Sequence, residues 1–121
     1  MSLILIGLGG FAGAITRYLV DGAVIERTGA GFPWGTLVIN VSGSFVLGVI
    51  TGLALYHGFP TTPRLVLGTG FCGGYTTFST FAYEIVFLAE ERRYRTASVN
   101  LVLSLLVPAL AAALGMALAS L

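Results

Sequence analysis

Residues Leu65–Tyr83, LVLGTGFCGGYTTFSTFAY, lie between Arg64 and Glu84 and contain no charged side chain. A run of that size is close to the roughly 20 residues an α-helix needs to cross the hydrocarbon core of a bilayer. Working outward, the same pattern recurs. Met1–Thr16 is uncharged and is followed by Arg17, Asp21, Glu26 and Arg27. Thr28–Tyr56 is uncharged, and His57 and Arg64 mark the next boundary. Glu90, Glu91, Arg92, Arg93 and Arg95 form the most polar cluster, and Thr96–Leu121 again has no charge. The simplest division is four spans, at about 2–20, 33–56, 64–89 and 97–120. Only helices and closed barrels satisfy their backbone groups in lipid. These runs are continuous rather than alternating, so helices are expected: one all-α, four-helix transmembrane domain over residues 1–121.

Composition agrees. The apolar set makes up 56% of the chain, charged residues 9%, and the mean hydropathy is +0.95. Soluble domains carry about 25% charge. A chain this poorly charged cannot solvate a globular surface, which excludes a soluble monomer and a disordered chain. The net charge is +1 and lysine is absent, so the basic patch of a nucleic-acid binder is missing. The single cysteine, Cys72, excludes an intrachain disulfide and a cysteine-cluster metal site. Ala12-Gly13-Ala14 resembles a signal-peptidase site, but no Lys or Arg precedes the apolar run as a leader's n-region requires. The chain contains no Ser/His/Asp set, metal-ligand cluster or carboxylate pair, and His57 is a lone loop histidine, so an enzyme is not expected.

Two glycine motifs invite a nucleotide-binding reading and do not support it. Gly7–Ala12 fits G-x-G-x-x-A and Gly68–Gly73 fits G-x-G-x-x-G. That fingerprint belongs to a soluble βαβ unit, and with 17 glycines chance matches are expected. Small residues four apart let helix backbones approach in lipid. Gly9/Gly13, Gly48/Gly52 and Gly70/Gly74 have that spacing and are expected to pack helices.

Polar groups within spans face the protein interior or a water-filled path. Asn40, Ser44, Gly48 and Thr51 fall on one helical face of the second span. Asn100, Ser104 and Pro108 repeat the pattern in the fourth. In the third, Gly73-Gly74 favours an interruption of the helix at mid-membrane. The alternative is a continuous helix whose hydroxyls bond back to the i−4 carbonyl. Interrupted transmembrane helices expose carbonyls suited to cations and N-termini suited to anions. Beyond the interruption, Thr77, Thr80 and Glu84 share a face. Phe78 and Phe81 either present electropositive ring edges to a path or pack as apolar bulk. Arg17 either snorkels to the interface or lends positive potential to a vestibule. Glu84 is an interfacial charge or the polar end of a pathway.

At these residues the chain resembles the Fluc/CrcB family of fluoride channels. Three segments carry the resemblance: Gly10–Tyr18 (GFAGAITRY), Gly35–Asn40 (GTLVIN) and Gly70–Phe81 (GFCGGYTTFSTF), with Glu84 following. The third is the most specific. The resemblance implies a multi-pass inner-membrane channel that lets toxic fluoride leave the cell passively. It implies an antiparallel, dual-topology homodimer with two pores. It also implies a structural sodium ion at the dimer centre, not transported, held by backbone carbonyls that map to Gly73 and Thr76. Asn40 would be a pore-facing donor, Phe78 and Phe81 the pore phenylalanines, and Ser79, Thr80 and Thr77 a source of hydroxyls. Asn100 stands where some members carry tyrosine. A pore for so strongly hydrated an anion must replace water with donors, yet bind weakly enough to release the ion.

One feature pulls the other way. In a single orientation Arg17, Arg27, Arg92, Arg93 and Arg95 fall on one side and Arg64 on the other. The positive-inside rule then favours an outside N-terminus, whereas dual topology expects little bias. A small multidrug-type, proton-coupled exporter is the competing transporter class, being a four-span dimer of similar length. It needs a carboxylate embedded in the first span, and Met1–Val20 has none. A non-transporting membrane subunit would gain nothing from the polar stripes.

Overall fold

The computed structural model describes residues 2–29 and 31–121, and every regular element among them is helical. Helix α1 spans Ser2–Thr28 and α2 spans Trp34–His57. A composite helix, α3, covers 61–75. It opens with an α-turn at Thr61–Arg64, widens into a π-helix at Leu65–Cys72 and closes with an α-turn at Gly73–Tyr75. Helix α4 spans Ser79–Glu90 and α5 spans Tyr94–Ala119. Three of these helices, α1, α2 and α5, are each long and apolar enough to cross a membrane. Large apolar side chains on their outer faces are exposed, as Leu110 is at 68%. Such surfaces suit lipid rather than water.

Helix α1 outruns its uncharged stretch. Arg17, Asp21, Glu26 and Arg27 lie within one continuous helix of 27 residues, about 40 Å long at 1.5 Å per residue. Charge marks the end of an apolar run, but the backbone hydrogen bonds of a helix do not depend on it. Proline sets the starts: Pro33 and Pro60 immediately precede α2 and α3. Gly58, at φ +65°, ends α2 in the left-handed conformation that glycine adopts without strain. At the opposite end, Arg93 Nη2 donates to the Gly31 carbonyl at 2.6 Å. That bond places the α1–α2 loop and the α4–α5 turn at one end of the bundle.

The glycine pairs pack helices backbone to backbone. A Cβ at Gly13 would run into the Phe71 carbonyl, and one at Gly74 into the Gly10 carbonyl. One at Gly9 would lie 2.7 Å from the Val66 carbonyl, and one at Gly70 2.7 Å from that of Ile6. These positions bring α1 against α3. Gly48, facing the Ala112 carbonyl, and Gly52, facing Met116 and Ala119, do the same for α2 and α5. A Cβ at Gly43 would meet the Thr76 methyl and lie 3.1 Å from the Tyr75 ring, so this glycine admits the end of α3 against α2. Close approach of this kind is how helices associate where lipid removes the usual hydrophobic drive.

The helical run stops at Tyr75 and resumes at Ser79. Thr76 is extended, at φ −77° and ψ 158°. The expectation that Gly73-Gly74 causes the interruption needs correction. Gly73 is right-handed helical at φ −62° and ψ −39°, and Gly74 lies inside the same α-turn. The chain departs from helix only after them, at residues with side chains. Side-chain hydrogen bonds, described next, hold the backbone at that point.

Candidate functional site

Asn40 lies in the second turn of α2 and faces the interruption. Its Nδ2–H donates to the Thr77 carbonyl at 2.9 Å, and the Thr77 N–H donates to its Oδ1 at 2.9 Å. One side-chain amide thus satisfies both backbone groups of a residue that has left the helix. The amide has two N–H donors, so one remains for another partner. Thr77 in turn caps α4, because its Oγ1 accepts the Thr80 N–H at 3.2 Å. The Thr77 hydroxyl also lies 3.2 Å from Thr80 Oγ1 and 3.4 Å from Ser79 Oγ. The three hydroxyls form one cluster at the start of α4.

In an unbroken helix the Thr77 N–H would bond the Gly73 carbonyl, and the Thr80 N–H would bond that of Thr76. Both donors go elsewhere. Among the described residues no backbone N–H reaches either carbonyl. The Thr76 N–H and hydroxyl both bond back to the Cys72 carbonyl, at 2.9 Å each. The Thr76 hydroxyl thus bonds back to an i−4 carbonyl at the residue where the helical run ends. Gly73 is exposed, and a Cβ built on it meets nothing within 4 Å. Two uncommitted neutral carbonyls, three residues apart, are of a chemistry suited to a monovalent cation.

The structure places Asn40, Ser44, Thr76 and Thr77 on an open groove of about 210 Å³ with Phe78 and Phe81. Ser104 and Pro108 of α5 line its far wall. Phe78 is 74% exposed and Phe81 6%, with ring centroids 5.7 Å apart and planes at 61°. That edge-on geometry turns the electropositive rim of one ring toward the face of the other. Thr77 also lines a second hollow of about 190 Å³ with Thr80, Arg17 and Asp21. Arg17 is half-buried there, eleven positions before α1 ends, beside the hydroxyl cluster rather than at a helix terminus. Asp21 also lines a third hollow, of about 200 Å³, with Glu84, Trp34 and Arg93. The three hollows form a series, linked by Thr77 and then Asp21, toward the α1–α2 loop.

Asn100 stands apart. It is 1% exposed and does not line the groove. Its tie to the groove is Ser104, whose hydroxyl donates to Asn100 Oδ1 at 2.8 Å. Asn100 Nδ2 and Glu84 Oε1 are buried without a hydrogen-bond partner among the described residues. Sequence reading misses Asp21 as a shared wall and the bond of 2.9 Å between the Ser42 and Tyr75 hydroxyls. Asp21 looks like a boundary charge because it follows the first uncharged run. Ser42 lies off the Asn40–Ser44 face, and its partner is 33 residues away.

The profile of the CrcB-like protein family, Camphor Resistance (CrcB), matches residues 4–116. The chain is 54% identical over 92 residues to "Fluoride-specific ion channel FluC 1" of Leifsonia xyli, covering 76% of this chain and 67% of that protein. It is 47% identical over 102 residues to "Fluoride-specific ion channel FluC" of Methanocaldococcus jannaschii, covering 84% and 81%. It is 44% identical over 119 residues to the protein of that name from Prosthecochloris aestuarii, covering 98% and 92%.

Proposed function

This chain belongs to the CrcB-like family of fluoride-specific ion channels, a family of multi-pass membrane proteins and not of enzymes, and from that premise we propose that it conducts fluoride passively out of the cell through two pores of an antiparallel homodimer. The observation that carries this reading is the convergence of Asn40, Thr77, Phe78 and Phe81 on one groove. Fluoride crosses there by exchanging water for weak neutral donors. The free amide N–H of Asn40, the hydroxyls of Thr77, Ser79 and Thr80, and the rims of Phe78 and Phe81 supply them. None carries a full positive charge, so the ion is held and released rather than trapped. Arg17 lies beyond the hydroxyl cluster and attracts anions from the adjoining hollow. The carboxylates of Asp21 and Glu84 lie farther out. Asn100 acts through Ser104 on the groove wall.

In this reading 64–89 crosses the bilayer as a broken span, with the gap between α3 and α4 at mid-membrane. Backbone there is tolerated only where protein or a cavity shields it. Asn40 provides that shield. The carbonyls of Gly73 and Thr76 would hold a structural sodium ion, and a two-fold axis doubles one chain's two ligands to four. Neutral oxygens suit a monovalent cation. The ion would tie two chains together and would not travel with fluoride. The arginine asymmetry between bundle ends is then tolerated in both orientations. A proton-coupled multidrug exporter is not favoured, given the family and the absence of an acidic residue from Met1–Val20.

Fluoride efflux from proteoliposomes, with chloride as the control ion, tests the assignment. Selective fluoride efflux is expected. Equal passage of both ions, or of neither, would overturn it.

A further inference from the structure

We propose that Asn40 and Thr77 are positioning residues for cation binding: by capturing the N–H groups of Thr77 and Thr80, they keep the carbonyls of Gly73 and Thr76 unpaired. This rests on the sodium reading above and adds how the ligands are made.

The argument is an accounting of backbone groups. Every buried N–H and C=O needs a partner, and a helix supplies partners at i and i−4. The Gly73 carbonyl loses its partner because Asn40 Oδ1, from another helix, takes the Thr77 N–H at 2.9 Å. The Thr76 carbonyl loses its own because Thr77 Oγ1 takes the Thr80 N–H at 3.2 Å. Without those two acceptors both N–H groups return to the carbonyls, and the helix closes. Gly73 and Gly74 are themselves helical. Asn40 and Thr77 also line the groove assigned to fluoride. One hydrogen-bonded unit therefore lines the groove and leaves the two carbonyls unpaired. Asn40 reaches the cation without touching it.

The test compares sodium dependence across variants of the full-length protein in detergent. Thermal unfolding and dimer dissociation are measured while sodium replaces N-methylglucamine at constant ionic strength. Wild type is expected to be stabilised by sodium in proportion to occupancy. Thr77→Val removes the acceptor at nearly constant volume, and Thr77→Ser retains it. The apparent sodium affinity is expected to fall tenfold or more in Thr77→Val and in Asn40→Ala, and to return to within threefold of wild type in Thr77→Ser. Should Asn40→Ala fail to fold, the Thr77 pair decides alone, because both variants pack as β-branched or smaller residues at one site. Sodium-dependent wild type with unchanged affinity in Thr77→Val overturns the positioning role and leaves the sodium site standing. A wild type indifferent to sodium overturns the sodium site itself, and this inference with it.

Discussion

The side chain of Asn40 and the backbone of Thr77 are joined by two hydrogen bonds of 2.9 Å, one in each direction. The pair resembles the reciprocal exchange between neighbouring strands, here made by a single amide inside a helical bundle. It links α2 to the gap between α3 and α4 and sets how the chain passes from one to the other.

Asn40→Asp is expected to lower fluoride efflux at least a hundredfold. The carboxylate still accepts the Thr77 N–H but offers no donor, and its charge repels both the Thr77 carbonyl and the anion. An unsatisfied buried carbonyl costs about 1–3 kcal/mol, so the unfolding midpoint should fall as well. Efflux at the wild-type rate would remove Asn40 from the pathway.

Phe78→Ile and Phe81→Ile should separate conduction from packing. Both replace an aromatic rim with an alkyl group, and both are expected to slow efflux tenfold or more. Their stability effects should differ. Phe78 is 74% exposed and Phe81 6%, so only Phe81→Ile is expected to lose stability, by about 1–3 kcal/mol. Unchanged efflux in both variants would leave the rings as apolar filler.

Gly74→Ala and Gly73→Ala make a second contrast. A Cβ at position 74 runs into the Gly10 carbonyl, and overpacking of this kind costs about 1–3 kcal/mol. At position 73 the same methyl meets nothing in its own chain, and the helical backbone accepts it. Gly73→Ala is therefore expected to keep monomer helicity and to weaken dimerisation. Circular dichroism and a detergent dissociation assay measure the two. Equal loss of helicity in both variants would contradict the packing described for α1 and α3.

Sodium should stay behind while fluoride moves. Radioactive sodium uptake, measured beside fluoride efflux in the same vesicles, is expected to match protein-free liposomes. Uptake that rises with fluoride flux would make sodium a cargo and end its structural assignment.

How far the sequence could be read depended on the range of the interaction. Uncharged runs locate four helical regions because hydropathy is a local property. Glycines four apart mark helix-packing surfaces because each needs only a missing side chain, whereas the pairing of α1 with α3 and of α2 with α5 comes from the fold. The gap at Thr76–Phe78 lies just beyond Gly73-Gly74, where the sequence suggests an interruption, and the bonds that span it are not local. Gly73-Gly74 is a local feature of composition, whereas the acceptor that takes the Thr77 N–H is 37 residues away in the chain. Arg17 could be an interfacial charge or a vestibule charge by sequence alone. Only the fold brings it beside Thr77 and Thr80. Asn100 faced inward as its polarity suggests, yet its connection to the groove runs through Ser104.

The wide π-helical stretch Leu65–Cys72 and the gap that follows differ in where their information resides. Half of what opens the gap comes from α2, a helix made earlier in synthesis. A polypeptide of residues 61–90 alone in a bilayer would lack that amide, and its shortest route to satisfied backbone groups is to close into one rod. With Asn40 and Thr77 holding the gap open as proposed, the discontinuity is acquired when α2 meets residues 61–90 and is not a property of that segment alone.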